Sequence, residues 1–430
     1  MNRQVPIWLR NRDLGLLLSA RLLVSAGRAL AGIVTPIYLS KIGFSGVELG
    51  VLFAVTAVAS GAMTACVGLF ADRYGCKPFL LIFPLLTALA AVAYLVTAAT
   101  VPIFVFSALG TVGRGAGAGG GGVGPYIPAE QALITATVSH EHRSSTFGLF
   151  AFCSTIAALI GGVLAGLPDL ARILGTRGNA IYMPAYWVLA VLCIVAAMLA
   201  VPLTPWRPPR REHRPGRRLM LPRRSLWLLW RLAITNSMNG LAIGAFAPFI
   251  TLWFHDRYGA STGQIGVLFA LINLFSAAPS LFAGRVAARV GLVRTVTFTR
   301  LGSAGLVIVM VLMPSFWLAG AIYLVRMILQ RLNMPLRQSF MMGVAPEGER
   351  ASVAGLANLP SQLTSATTPA IAGYLYDHIA IALPFELGGV LQAANAGIYW
   401  FFFRNMLPPE EQARREALAE ADAPEAERVT

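Results

Sequence analysis

Three arginines, Arg28, Arg114 and Arg326, each stand inside a long apolar run. A charge in hydrocarbon costs roughly 2.5–3.5 kcal/mol or more, so such a residue faces a cavity or a counter-charge. Guanidinium presents a planar fork of donors that pairs carboxylates and phosphates through two bonds at once. An excess of guanidinium over acid makes an enclosed space electropositive and suits an anionic, zwitterionic or anionic-amphipathic small molecule. Acids are scarce in the same runs: Glu130 and Glu386 stand near run ends, which makes both poor proton carriers. Arg21, seven residues before Arg28 on the same helical face, lies near enough to its run's end to snorkel. The alternative, that each arginine bonds backbone carbonyls or an unseen acid, stays open at this stage.

Neutral polar residues extend the set: Asn236, Asn239, Asn273, Gln330, Asn333, Asn358 and Gln362. They either line a polar cavity or join helices by hydrogen bonds worth ~0.6 kcal/mol each. Catalytic groupings are absent: there is no Ser/His/Asp set, no HExxH, no P-loop and no metal-ligand spacing. His140 and His142 flank Glu141 in what reads as a solvated turn, and Cys66, Cys76, Cys153 and Cys193 are scattered without pairing or zinc spacing. No enzyme, cofactor or metal site is expected, so any pumping must draw on an ion or substrate gradient.

Lipid-embedded helices must position these groups. The chain has 430 residues, 56% hydrophobic and 12% charged, with mean hydropathy +0.66; soluble chains carry about 25% charged residues. Apolar segments fall near 14–39, 46–70, 79–98, 101–124, 145–166 and 182–203, then near 226–254, 263–285, 295–315, 316–342, 351–375 and 383–404. They are far longer than the ~9–11 residues of a barrel strand, so helices are required. The fold class is all-α, with twelve spans: a first bundle over 1–204, a linker over 205–225, a second bundle over 226–405 and a tail over 406–430. The linker interleaves prolines with Arg207, Arg210, Arg211, Arg214, Arg217, Arg218, Arg223 and Arg224. By the positive-inside rule it is cytoplasmic, and the even span count then places both termini in the cytoplasm of a chain expected in a bacterial inner membrane. The net charge of +15 is thus an orienting charge near anionic lipid, not a nucleic-acid face.

An internal repeat links the halves. Gly50-Val-Leu-Phe-Ala54 recurs as Gly266-Val-Leu-Phe-Ala270, and Gly68, Arg73 and Gly75 match Gly284, Arg289 and Gly291 at the same offset. Further on, Pro128, Gln131, Arg143, Ser145, Gly148 and Leu149 match Pro335, Gln338, Arg350, Ser352, Gly355 and Leu356. Parallel copies of a membrane unit place a substrate site between halves near the midplane, with access alternating by rocking.

Between the second and third spans stands Gly68-Leu-Phe-Ala-Asp72-Arg73-Tyr-Gly75-Cys76-Lys77. Gly68 permits close helix approach and Gly75 a tight reversal, while Asp72 suits a helix N-terminus or a neighbouring base. This loop resembles the GxxxDRxGR[RK] signature of the major facilitator superfamily, and the resemblance extends through span spacing, repeat and linker. It implies that spans 1, 4, 7 and 10 line the cavity, and that Asp72 latches the halves near Arg350 and Ala351. Cys76 replaces a usual base and the second copy lacks the acid, which implies a one-sided latch. Arg114-Gly-Ala-Gly-Ala-Gly119 resembles the RxxxG pattern tied to proton-linked exchange, whereas Ala157-Ala-Leu-Ile-Gly161-Gly162 keeps only half of the antiporter element GPxxGG. The resemblance thus implies a monomeric secondary transporter of small organic molecules, proton-coupled and of efflux type, with uptake of organic anions or a transport-inactive sensor as alternatives.

Overall fold

The computed structural model describes residues 11–112, 124–138, 140–204, 226–277, 286, 289–344 and 350–406. The first half holds α1 (Arg12–Lys41), α2 (Gly46–Tyr74), α3 (Lys77–Val96), α4 (Thr100–Gly110), α5 (Ile127–Thr137), α6 (His140–Leu164), the short α7 (Leu167–Ile173) and α8 (Met183–Ala200). The second holds α9 (Leu226–Phe246), α10 (Ile250–Tyr258), α11 (Thr262–Ala277), α12 (Leu292–Val311), α13 (Phe316–Val344), α14 (Arg350–His378) and α15 (Leu383–Phe403). The linker 205–225 and the tail from 407 lie outside the described residues.

Local chemistry sets the boundaries. Asn11 caps α1 by accepting from the Asp13 amide at 3.1 Å. Ser45 and Glu48 form a reciprocal capping box on α2, and Ser261 and Gln264 do the same for α11. Gly75 and Gly291, matched by the repeat, both adopt positive φ, at 83° and 92°, where only glycine is unstrained. Each turns the chain from one apolar helix into the next.

Three expectations are corrected. The segment 101–124 is not one unbroken helix: α4 ends at Gly110 and Thr111 takes a left-handed conformation at φ 51°; residues 113–123 lie outside the described residues, and α5 covers Ile127–Thr137. The segment 226–254 is broken at 247–249, where Pro248 cannot continue the hydrogen-bond ladder. His140 to His142 belong to the first turn of α6 and not to a connecting turn; their side chains lie outside what is described.

Among the described residues seven helices are long and apolar enough to cross a membrane, and two shorter apolar helices accompany them. Large apolar side chains such as Val163, Leu363 and Phe401 point outward, as a lipid-facing surface requires. Within the first half α1 packs on α6 and α8, and α3 on α4 and α8. Within the second, α9 packs on α14 and α15, and α12 on α13 and α15. The halves meet along two seams, α2 against α14 and α6 against α11.

The two ends of the molecule differ. At the far end, which carries the turns 42–45, 165–182, 259–261 and 379–382, one apolar core runs through both halves and includes Ile37, Phe53, Phe249, Trp253, Tyr323 and Phe385. The Phe53 and Phe249 rings cross the boundary with centroids 5.4 Å apart. At the linker end the cores are separate: Leu80, Phe83 and Ile134 belong to one, Val296, Phe340 and Tyr399 to another. The far end is therefore closed by continuous packing, and the linker end lacks an equivalent among the described residues.

Candidate functional site

α1 and α5 run antiparallel and bring Arg21 against Glu130. Arg21 Nη1 donates to Glu130 Oε1, Arg21 Nε donates to Ser154 Oγ of α6 at 2.8 Å, and the two charged side chains are 9% and 4% exposed. Arg21 is thus paired inside the bundle and does not snorkel. Among the described residues this is the only salt bridge, and Glu130 is the only buried acid. Leu17, Pro84, Tyr126 and Ala200 complete a recess over the pair.

Arg28, one helical repeat further along α1, donates from Nη2 to Thr111 Oγ1 at 2.6 Å and lies over the Tyr126 ring at 5.7 Å. It therefore touches the break that separates α4 from α5. Arg114 lies outside the described residues. Arg326 is 2% exposed, stacks over Phe246 at 4.5 Å and Tyr323 at 5.5 Å, and sets Nη1 3.6 Å from Met327 Sδ. Aromatic faces stabilise its charge by cation–π attraction in place of an acid.

Two arginines that the sequence reading passed over complete the second half's core. Arg300 of α12 is 3% exposed, donates to Asn395 Oδ1 at 3.3 Å and lies 4.7 Å over the Tyr399 ring. Arg337 of α13 donates to Asn236 Oδ1 at 3.0 Å and to Asn358 Oδ1 at 3.3 Å. Buried Arg300 and Arg326 and half-buried Arg337 lean on amide oxygens, sulfur or rings, with no described carboxylate. Under the repeat that matches Pro128 to Pro335, Glu130 corresponds to Arg337. The same position thus holds an acid paired with α1 in one half and a base bonded to α9 in the other.

The neutral candidates divide. Asn236 is buried, bonds the Ala357 carbonyl and accepts from Arg337; Asn358 accepts from the same guanidinium. Asn333 ties α13 to α12 through the Val296 carbonyl and Thr299. Asn273 bonds the Phe269 carbonyl one turn back on its own helix, and Gln362 is exposed, so neither joins a polar cluster. Asn239 is half-buried, and Gln330 has a buried Oε1 with no hydrogen-bond partner among the described residues. Glu386 is exposed in the first turn of α15, remote in character from a buried carrier.

Of the loop signature, Gly75 ends α2 and Lys77 opens α3, half-buried; Arg289 is exposed beside Gly291. Gly68, Asp72 and Arg73 lie within α2, but their side-chain placement, like that of Arg350, falls outside what is described, as does Gly284. The expected Asp72 latch therefore stays an expectation.

A family profile described as Major Facilitator Superfamily matches residues 17–363 and, in a second match, 232–428. The chain belongs to the major facilitator superfamily. It is a multi-pass membrane transporter with that fold, and not an enzyme. The multidrug resistance protein MdtG of Serratia proteamaculans is 26% identical over 305 residues, covering 67% of this chain and 68% of that protein. MdtG of Proteus mirabilis is 23% identical over 315 residues, covering 70% and 73%. Among solved structures, a bacterial homologue of the human lysosomal transporter Spinster, inward-facing and occupied, superposes with a TM-score of 0.69 at 15% identity over 94% of this chain and 98% of that one. The nucleoside transporter NupG superposes with a TM-score of 0.68 at 14% identity over 91% and 99%. At these identities the superpositions establish the major facilitator fold alone.

Proposed function

We propose that this major facilitator protein is a proton-coupled exporter of small organic molecules, anionic or amphipathic, in a bacterial inner membrane. Residues 1–204 and 226–405 are its rocking halves, 205–225 the cytoplasmic linker and 406–430 a cytoplasmic tail; it works as a monomer. The observation that carries the reading is the asymmetry of buried charge: one acid, Glu130, held by Arg21 in the first half, against Arg300 and Arg326 without a described acid in the second. The acid serves proton coupling. A proton passing from water to the Glu130 carboxylate breaks the Arg21 pair, and its loss restores the pair seen here. The arginine-rich half suits the solute, since guanidinium in a low-dielectric surround favours carboxylate or phosphate partners. Arg28, Arg326, Arg337, Asn236, Asn239, Gln330 and Asn358 are the residues assigned to its path, with Arg114 added on its sequence alone. The efflux direction is supported by the multidrug resistance relatives.

A second reading, uptake of organic anions with protons, is favoured by the same pair, because protonation of Glu130 releases Arg21 for an anion. Membrane vesicles separate the two. Everted vesicles with an acid lumen should accumulate an anionic amphipathic dye if the chain exports. Accumulation confined to right-side-out vesicles in acid medium overturns export in favour of uptake, and binding without flux in either overturns both in favour of a sensor.

A further inference from the structure

The far end carries two cross-half contacts related by the internal repeat. Asp377, at the end of α14, accepts from the Gly46 amide through Oδ1 at 2.8 Å and from the Val47 amide through Oδ2 at 2.9 Å, in the first turn of α2. Asp169, on α7 just past α6, accepts from the Gly263 amide through Oδ2 at 2.8 Å, in the first turn of α11. Under the offset that maps Gly50 onto Gly266, Val47 maps onto Gly263, so each half receives the other half's carboxylate at the same register.

The chemistry explains why the carboxylate fits. A helix leaves its first four amides without an internal partner. In α2 the Ser45 hydroxyl takes the Glu48 amide, and in α11 the Ser261 hydroxyl takes the Gln264 amide, each at 3.2 Å. The amides before them stay open to an outside acceptor, and the positive end of the helix dipole favours an anion there. Backbone reaches backbone below these caps: a Cβ on Gly50 or on Gly266 would collide with the Pro369 or Gly162 carbonyl of the opposite half. The Ser-x-x-Glu and Ser-x-x-Gln boxes serve each helix locally, whereas both aspartates come from across a seam.

We propose that Asp169 and Asp377 are paired gating residues that clamp the far end shut by capping α2 and α11 from opposite halves, and that both contacts release when the far end opens. The inference uses the rocking of two halves that the proposed transport cycle requires. It does not depend on solute, coupling ion or direction.

Hydrogen–deuterium exchange of the purified full chain, without solute or gradient, tests it. In Asp377→Asn, exchange should quicken roughly tenfold in the α2 first turn, the equivalent of losing one charge-assisted hydrogen bond. It should also quicken at the untouched seam, over 263–270 and 162–170, because rigid halves part together. Asp169→Asn should give the mirror result, and Glu48→Gln, which alters only a local cap, should leave the opposite seam at the wild-type rate. Quickening confined to the substituted seam makes each aspartate a local cap and overturns the gate, as does unchanged exchange. If either asparagine variant fails to accumulate, Asp377→Ser and Asp169→Ser, which remove the charge and shorten the arm, are read by the same criterion. Absent transport with coupled exchange would sink the functional reading while leaving the gate intact.

Discussion

Replacing Glu130 by Gln removes the counter-charge of the buried Arg21 guanidinium and leaves it only neutral acceptors, the new amide oxygen and Ser154 Oγ. Two unit charges 4 Å apart at an effective dielectric of 20 attract by about 4 kcal/mol. Removing one member of a buried pair costs about 3–5 kcal/mol, because the other stays buried and uncompensated. Glu130→Gln is therefore expected to lower stability by about 3–5 kcal/mol. Replacing both charges, in Arg21→Met with Glu130→Leu, removes the uncompensated charge and should recover most of that loss. Denaturant titration in detergent across the four proteins of the double-mutant cycle gives the coupling between the two sites. The same cycle separates stability from coupling: the double variant should fold near wild-type stability yet fail to concentrate solute against a gradient. A double variant that still drives uphill transport would refute the assignment of Glu130 as proton carrier. Additive single effects would refute the pairing itself.

Other consequences are narrower. Gly266→Ala would push a methyl into the Gly162 carbonyl across the seam, so overpacking by about 1–3 kcal/mol is expected to disfavour the far-end-closed state and slow turnover tenfold or so. Gly61→Ala, with open space at that position, should transport at the wild-type rate in the same assay. Asn236→Leu strips partners from Arg337 and the Ala357 carbonyl, and should cost about 1–3 kcal/mol by thermal unfolding. Asp72→Asn is expected to cripple turnover while leaving membrane expression intact; wild-type flux in that variant would remove the proposed latch.

The helical membrane architecture was legible because hydrocarbon imposes it: long apolar runs, a basic linker and a repeated Gly-Val-Leu-Phe-Ala leave few alternatives. Gly75 and Gly291 were readable as turns, and both take positive φ. Tertiary pairings were harder. Arg21 and Glu130 are 109 residues apart, yet a signal existed: each lies seven to nine residues inside the same end of antiparallel helices, hence at similar depth. Arg300 was missed although it stands inside the apolar run 295–315, because its partner Asn395 lies 95 residues further along the chain. Asp169 and Asp377 sat in connections that carry no motif, and only the folded seams reveal what their carboxylates meet. The breaks after Gly110 and Phe246 escaped hydropathy because apolar composition continues through both.

Proteoliposomes loaded with an anionic amphipathic solute and a pH-sensitive dye test the account at its centre. Solute leaving down its own gradient through an exchanger must bring protons in, so the lumen should acidify in step with solute loss, and Glu130→Gln should abolish the pH change. Alkalinisation would mean that proton and solute travel together, and solute loss at constant pH would mean that no proton is coupled at all; either result contradicts proton-coupled export.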